Sequence, residues 1–206
     1  MRVLSLGDSY TIGEGVAPED RWPSQLARAL RQRGIEVADP EIVAVTGWTT
    51  DELDAGIDAA DPAGPYDLVT LLIGVNNQYR GYPLGAYRSE YRALLDRSVG
   101  FAGGDPSRVV AVSFPDWSVT PFAGRPPSED APAPHRQRVA AEVDVFNTAA
   151  RQVAESAGVA WVDLAALSRT QGELVVDDGL HPDGTAYAAW VERIAPVAEG
   201  ATGGGA

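Results

Sequence analysis

The chain has 206 residues, 45% of them apolar and 22% charged, a size that one hydrophobic core fills as a single domain. Sixteen basic residues against 29 acidic ones give a formal net charge of -13, which repels phosphate backbones and anionic lipid and argues against nucleic acid as a partner. All sixteen are arginine, so lysine Schiff bases and Walker-type phosphate loops are excluded, zero cysteines remove thiol nucleophiles and thiolate metal sites, and His135 and His181 are the only histidines.

Short β-rich apolar runs alternate along the chain with longer segments of helical period. Residues 2–6 form the first strand, followed by the turn Gly7-Asp8-Ser9-Tyr10. Arg2 is followed by only Val3-Leu4-Ser5-Leu6 before that turn, far short of the roughly 7 to 15 apolar residues of a signal-peptide core, so a cytoplasmic location is the expectation. A helix over 22–33 places Leu26 and Leu30 on one face behind Pro23 in its first turn. A strand over 41–45 leads into Thr46-Gly47-Trp48-Thr49-Thr50, and a helix over 51–60 carries Leu53 and Ile57. The third strand, 67–73, ends in Gly74-Val75-Asn76-Asn77, and the helix over 84–102 sets Tyr87, Tyr91, Leu94 and Leu95 at helical spacing. After a fourth strand at 108–114 comes an irregular stretch, 115–134, whose six of the fifteen prolines predict a stiff, extended cover. A helix over 136–157 stops at Gly158, a fifth strand covers 159–164, and a last helix from about Asp183 ends near Pro196.

That order predicts an α/β chain folded as a three-layer α/β/α sandwich on a five-stranded parallel sheet, with ligands met at the carboxyl ends of the strands. One domain over 1–199 and a flexible tail over 200–206 are expected. No window reaches the ~18 to 20 consecutive apolar residues of a membrane span.

Acyl transfer by a hydroxyl needs a base to take its proton, an acid to orient that base, and donors for the developing oxyanion. Ser9 lies on a tight strand-to-helix turn, and His181 sits on a loop before a helix, biased from helical angles by Pro182. Asp178 can curl back to the imidazole across one turn of loop, with Asp177 and Asp183 as neighbours. The Ser9 and Gly47 N–H groups and the Asn76 amide supply three neutral donors.

With Ser9, Gly47, Asn76 and His181 in four ordered blocks, the chain resembles the SGNH hydrolases, also called the GDSL esterase/lipase family. Asp178-Gly179-Leu180-His181-Pro182 matches that family's Asp-x-x-His and selects Asp178 as the acid. The departures are Tyr10, where the family commonly has an apolar residue, and Asn77, where it has Asp; the second bears on how Asn76 is oriented. The resemblance implies a flavodoxin-like sandwich and hydrolysis of a small-molecule ester through an acyl-Ser9 intermediate, with no metal or organic cofactor. Trp48, Tyr79, Tyr82, Trp117 and Phe122 follow strand ends and are candidates to wall the acyl or sugar pocket. Arg80 is the basic residue nearest the Asn76 block, and His135 reads as a surface residue.

Competing readings are an acyltransferase, a thioesterase or a lysophospholipase with the same site, and a flavodoxin-like module whose first turn cradles phosphate. A metal site of His181 with Asp177, Asp178 and Asp183 is a poor zinc set, with one imidazole among hard carboxylates.

Overall fold

A computed structural model describes residues 1–125 and 136–202. Five strands, β1 (Val3–Gly7), β2 (Glu41–Ala44), β3 (Leu68–Leu72), β4 (Val109–Val112) and β5 (Ala160–Val162), form one parallel sheet in the order β2-β1-β3-β4-β5. The order reverses at β1, so β1 and β3 flank the switch point where ligands of open α/β sheets bind. β1, β3 and β4 are buried along their whole length, as strands covered on both faces must be.

Eight helices are described: α1 (Ser9–Ile12), α2 (Trp22–Gln32), α3 (Thr50–Ala60), α4 (Val75–Tyr79), α5 (Leu84–Phe101), α6 (Arg136–Ser156), α7 (Ala165–Ser168) and α8 (Gly184–Thr202). α2 and α8 pack together on one face, while α3, α5 and α6 adjoin one another on the other. Trp22, Trp190, Tyr87 and Tyr91 fill the core between helices and sheet. Among the described residues no helix is long and apolar enough to cross a membrane.

The three-layer parallel sandwich is as expected, and the differences are local. α1, α4 and α7 are single turns, too short to show a 3.6-residue repeat. α8 does not end near Pro196 but carries it inside and runs on to Thr202. Proline normally costs a helix about 3 kcal/mol, and here the fully buried Ala195 and Ala198, on either side of it, keep the helix packed on the core. Residues 200–202 of the expected tail are therefore helical.

The described part of the irregular stretch is not extended. It folds as two 3-10 turns, Trp117–Val119 and Phe122–Gly124, the first capped by Asp116, whose Oδ1 accepts the Ser118 N–H at 2.9 Å. Residues 126–135, including His135, lie outside the described residues.

Candidate active site

The register of the sheet brings three strand ends to one height: Gly7 pairs with Ala44 of β2 and with Leu72 of β3. Just beyond them lie Ser9, Gly47 and Asn76. At Gly7 a Cβ would stand 2.2 Å from Thr11 Oγ1 and 2.4 Å from the Leu72 carbonyl oxygen, so the absent side chain is what lets the turn close against β3. Asp8 caps α1, its Oδ1 accepting the Tyr10 N–H at 3.0 Å. That leaves Ser9 at the first position of the helix, 4% exposed, with its own N–H free of any partner among the described residues.

Gly47 adopts φ +90°, a conformation that glycine enters without strain. Arg80 clamps it: Nη2 donates to the Gly47 carbonyl at 2.6 Å, and Nη1 donates to both carboxylate oxygens of Glu52 at 3.2 Å. Glu52 in turn accepts the Thr49 N–H at 2.9 Å, completing a capping box at the start of α3. The Gly47 N–H, like that of Ser9, has no partner among the described residues. Asn76 gives one amide hydrogen to the Trp48 carbonyl at 2.9 Å, and its other amide hydrogen has no partner among the described residues.

Its neighbour Asn77 is fully buried and uses both ends of its amide. Oδ1 accepts the Thr50 N–H at 3.1 Å and Nδ2 donates to Thr50 Oγ1 at 2.7 Å. An aspartate there could not donate, so asparagine ties α4 to α3 with a neutral pair and fixes the helix that carries Asn76.

His181 and Asp178 are set by one tight loop. Val175 bridges Pro182, the Val176 N–H donates to the His181 carbonyl at 2.9 Å, and Gly179 turns the chain at φ +74°. Asp178 Oδ1 accepts the N–H groups of Leu180 (2.7 Å) and His181 (3.0 Å), while Oδ2 meets His181 Nδ1 at 2.6 Å. The same carboxylate thus folds the loop and orients the ring, which is the physical reason for a three-residue spacing. Partial burial pushes the Asp178 carboxyl up, but the imidazole and these two N–H groups outweigh it and hold the group below its ordinary value. The Tyr10 ring stands 5.5 Å from the imidazole, tilted against it.

Ser9, Gly47, Asn76 and His181 line one cleft of about 170 Å³. Its remaining wall is largely apolar, from Tyr10, Val75, Tyr79, Trp117, Phe122 and Leu180, with Thr46 at the Gly47 side. Tyr79, Trp117 and Phe122 form an aromatic row with ring centroids 5.8 and 6.1 Å apart. The Trp117 Nε1–H donates to Gln78 Oε1 at 2.9 Å, and the Phe122 N–H donates to the Gly179 carbonyl at 2.8 Å. The 3-10 segment therefore ties the Asn76 helix to the His181 loop.

Two of the aromatic candidates lie elsewhere. Trp48 does not line the cleft, because its indole lies where a Cβ on Gly56 would come within 2.1 Å of a ring carbon, packed on α3. Tyr82 is also outside the lining, since its N–H closes a turn on the Asn77 carbonyl at 2.9 Å and carries the chain away from the cleft. Tyr10, Thr46, Val75 and Leu180 join the site without having been singled out; each adjoins a motif residue, which is the signal that was there to read. The clamp of Arg80 and Glu52 on Gly47 had no sequence signal. Among the described residues no group of three or more His, Cys, Asp and Glu side chains is placed to hold a metal ion.

A hydroxyl, an imidazole backed by a carboxylate, and unpaired neutral donors around one apolar cleft are the equipment for acyl transfer on a doubly wound α/β sheet. The chain belongs to the GDSL-like lipase/acylhydrolase family, whose model matches residues 5–189, and is an ester-hydrolysing serine hydrolase of that family.

Among solved structures, TesA superposes with a TM-score of 0.75 at 18% identity, over 98% of this chain and 99% of that one. The acetyl xylan esterase AlAXEase does so with 0.68 at 13% identity, over 94% and 98%. The psychrotrophic esterase EstA from Pseudoalteromonas sp. gives 0.66 at 17% identity, over 96% of each chain. At these identities the likeness establishes the shared fold. No curated protein sequence is significantly similar to the chain.

Proposed function

We propose that the protein hydrolyses short-chain carboxylic esters of small molecules, acetylated sugars among them, through an acyl-Ser9 intermediate. His181 Nε2 takes the Ser9 hydroxyl proton as Ser9 Oγ attacks the ester carbonyl, and Asp178 holds Nδ1–H and stabilises the imidazolium without itself taking the proton. The Ser9 and Gly47 N–H groups and the free Asn76 amide hydrogen receive the oxyanion. His181 then protonates the departing alcohol, and water, activated by the same imidazole, releases the acid and restores Ser9.

The observation that carries this reading is the pair of N–H groups at Ser9 and Gly47, without partners, lining the same cleft as the amide of Asn76. Unpaired donors gathered at a nucleophile are arranged for charge that develops in a transition state, each being worth about 3 to 4 kcal/mol of barrier. The small, aromatic-walled cleft favours short acyl groups over long ones, and aromatic faces suit a sugar ring.

The test joins a fluorophosphonate to a p-nitrophenyl acetate assay. Peptide mass spectrometry should find one adduct, on Ser9, and both adduct and turnover should be lost in His181→Ala, with turnover lost in Ser9→Ala as well. Turnover retained by folded Ser9→Ala or His181→Ala would sink the assignment.

A further inference from the structure

Behind the cleft lies a second, smaller void of about 20 Å³, reached by Leu174, Val175, Ala186 and Trp190 from the opposite side. The two spaces share three walls, Tyr10, Trp117 and Leu180. Two of these are fixed by other contacts. Tyr10 is 2% exposed and packs against the rings of His181 and Trp190, while Trp117 is held by its bond to Gln78. Leu180 is different: its N–H serves the Asp178 turn, and its partly buried side chain packs on the edge of the core and lines both spaces without a polar contact of its own.

Three polar side chains that line the rear void, Asp116, Ser168 and Gln171, are engaged within the protein. Asp116 binds Ser118 and Arg169, Ser168 Oγ accepts the Asp116 N–H, and Gln171 accepts from Trp190 Nε1. Leu174, Val175, Pro182 and Ala186 add apolar surface for a ligand. A cavity of about 150 Å³ lined by apolar side chains accepts a benzene-sized guest, so the front cleft has room for about six carbons.

We propose that the partition sets the longest acyl group the enzyme accepts, and that Leu180 is its specificity-determining side chain. The acyl chain runs from Ser9 past Val75 and Trp117 and stops against Leu180. Removing that side chain joins the front cleft to the void behind it and admits longer chains. The inference rests on the reading of the site as an esterase acting through Ser9.

The test compares wild type and Leu180→Ala on p-nitrophenyl esters from acetyl to dodecanoyl, after circular dichroism and melting confirm folding. In wild type, kcat/KM should rise about fourfold for each methylene that gains apolar cover, up to about hexanoyl, and fall beyond it. In Leu180→Ala the maximum should move about three carbons further, the number removed from the leucine, and the decanoyl-to-butyryl ratio of kcat/KM should rise at least about tenfold. Leu180→Val, smaller by a single methylene, should move the ratio the same way by a lesser factor, and is the variant to read if alanine prevents folding.

A ratio unchanged in a folded variant overturns the proposal, as does a wild-type kcat/KM that keeps rising through decanoyl. Failure of the esterase reading is distinguishable from both. Folded wild type would then turn over none of the esters, and fluorophosphonate would leave Ser9 unlabelled.

Discussion

Asp8→Asn should stabilise the protein increasingly as pH rises. Asp8 is wholly buried, with Oδ1 bound to the Tyr10 N–H and Oδ2 without a partner among the described residues. Its charge is felt by the phenols of Tyr10, Tyr87 and Tyr187, which surround it. Burial pushes the carboxyl up from 3.8 to about 7, against the pull of the Tyr10 N–H. Between those values the native state holds a proton that the unfolded chain has released, so native stability falls as pH rises from about 4 to 7 and levels above it.

At about 1.4 kcal/mol per pH unit the full effect is about 4 kcal/mol, of which roughly 2 to 3 kcal/mol develops between pH 5 and 8. Asparagine has the same shape, keeps the acceptor for Tyr10 and has no proton to lose. The stability difference between variant and wild type should therefore widen by roughly 2 to 3 kcal/mol from pH 5 to 8, or roughly 5 to 10 °C in Tm for a chain of this length. Urea unfolding at pH 5, 6, 7 and 8, with m unchanged, measures it. Parallel stability curves for the two proteins across that range would refute the account of a buried, neutral carboxyl.

Asn76→Ala should lower kcat on p-nitrophenyl acetate by about 10²- to 10³-fold with KM little changed, as loss of an oxyanion donor does. Arg80→Ala frees the Gly47 carbonyl and breaks a largely exposed ion pair with Glu52, so kcat should fall about tenfold while Tm stays nearly constant. Gly7→Ala forces a Cβ against Thr11 and the Leu72 carbonyl, and should cost about 1 to 3 kcal/mol or more in urea unfolding together with loss of Ser9 labelling.

The layers were legible because each long helix carries its apolar stripe and each inner strand is a short apolar run between turn residues. The contact of Asp178 with His181 was legible for a related reason, since an i,i+3 pair on a loop can meet without the rest of the fold, while the resemblance to the family set Asp178 apart from Asp177 and Asp183. The clamp on Gly47 was not, since Arg80 reaches it across two loops whose meeting depends on the β1–β3 and β1–β2 registers. Trp48 shows the same limit from the other side. Its place after a strand end pointed to the cleft, and the missing Cβ of Gly56, a turn and a half into α3, drew the indole away. Local propensity makes Pro196 a stop, and the buried Ala195 and Ala198 on either side of it override the preference.

β1 is the first strand in the chain and is flanked by β2 and β3, which come later, while the loop bearing His181 follows every strand. On a ribosome the Ser9 turn is therefore made almost at once and the His181 loop almost last, with both flanking strands translated between them. On the mechanism proposed above, a nascent or truncated chain that lacks the His181 loop turns over no ester. Turnover during refolding or cell-free synthesis would thus count molecules in which the His181 loop has reached the Ser9 turn.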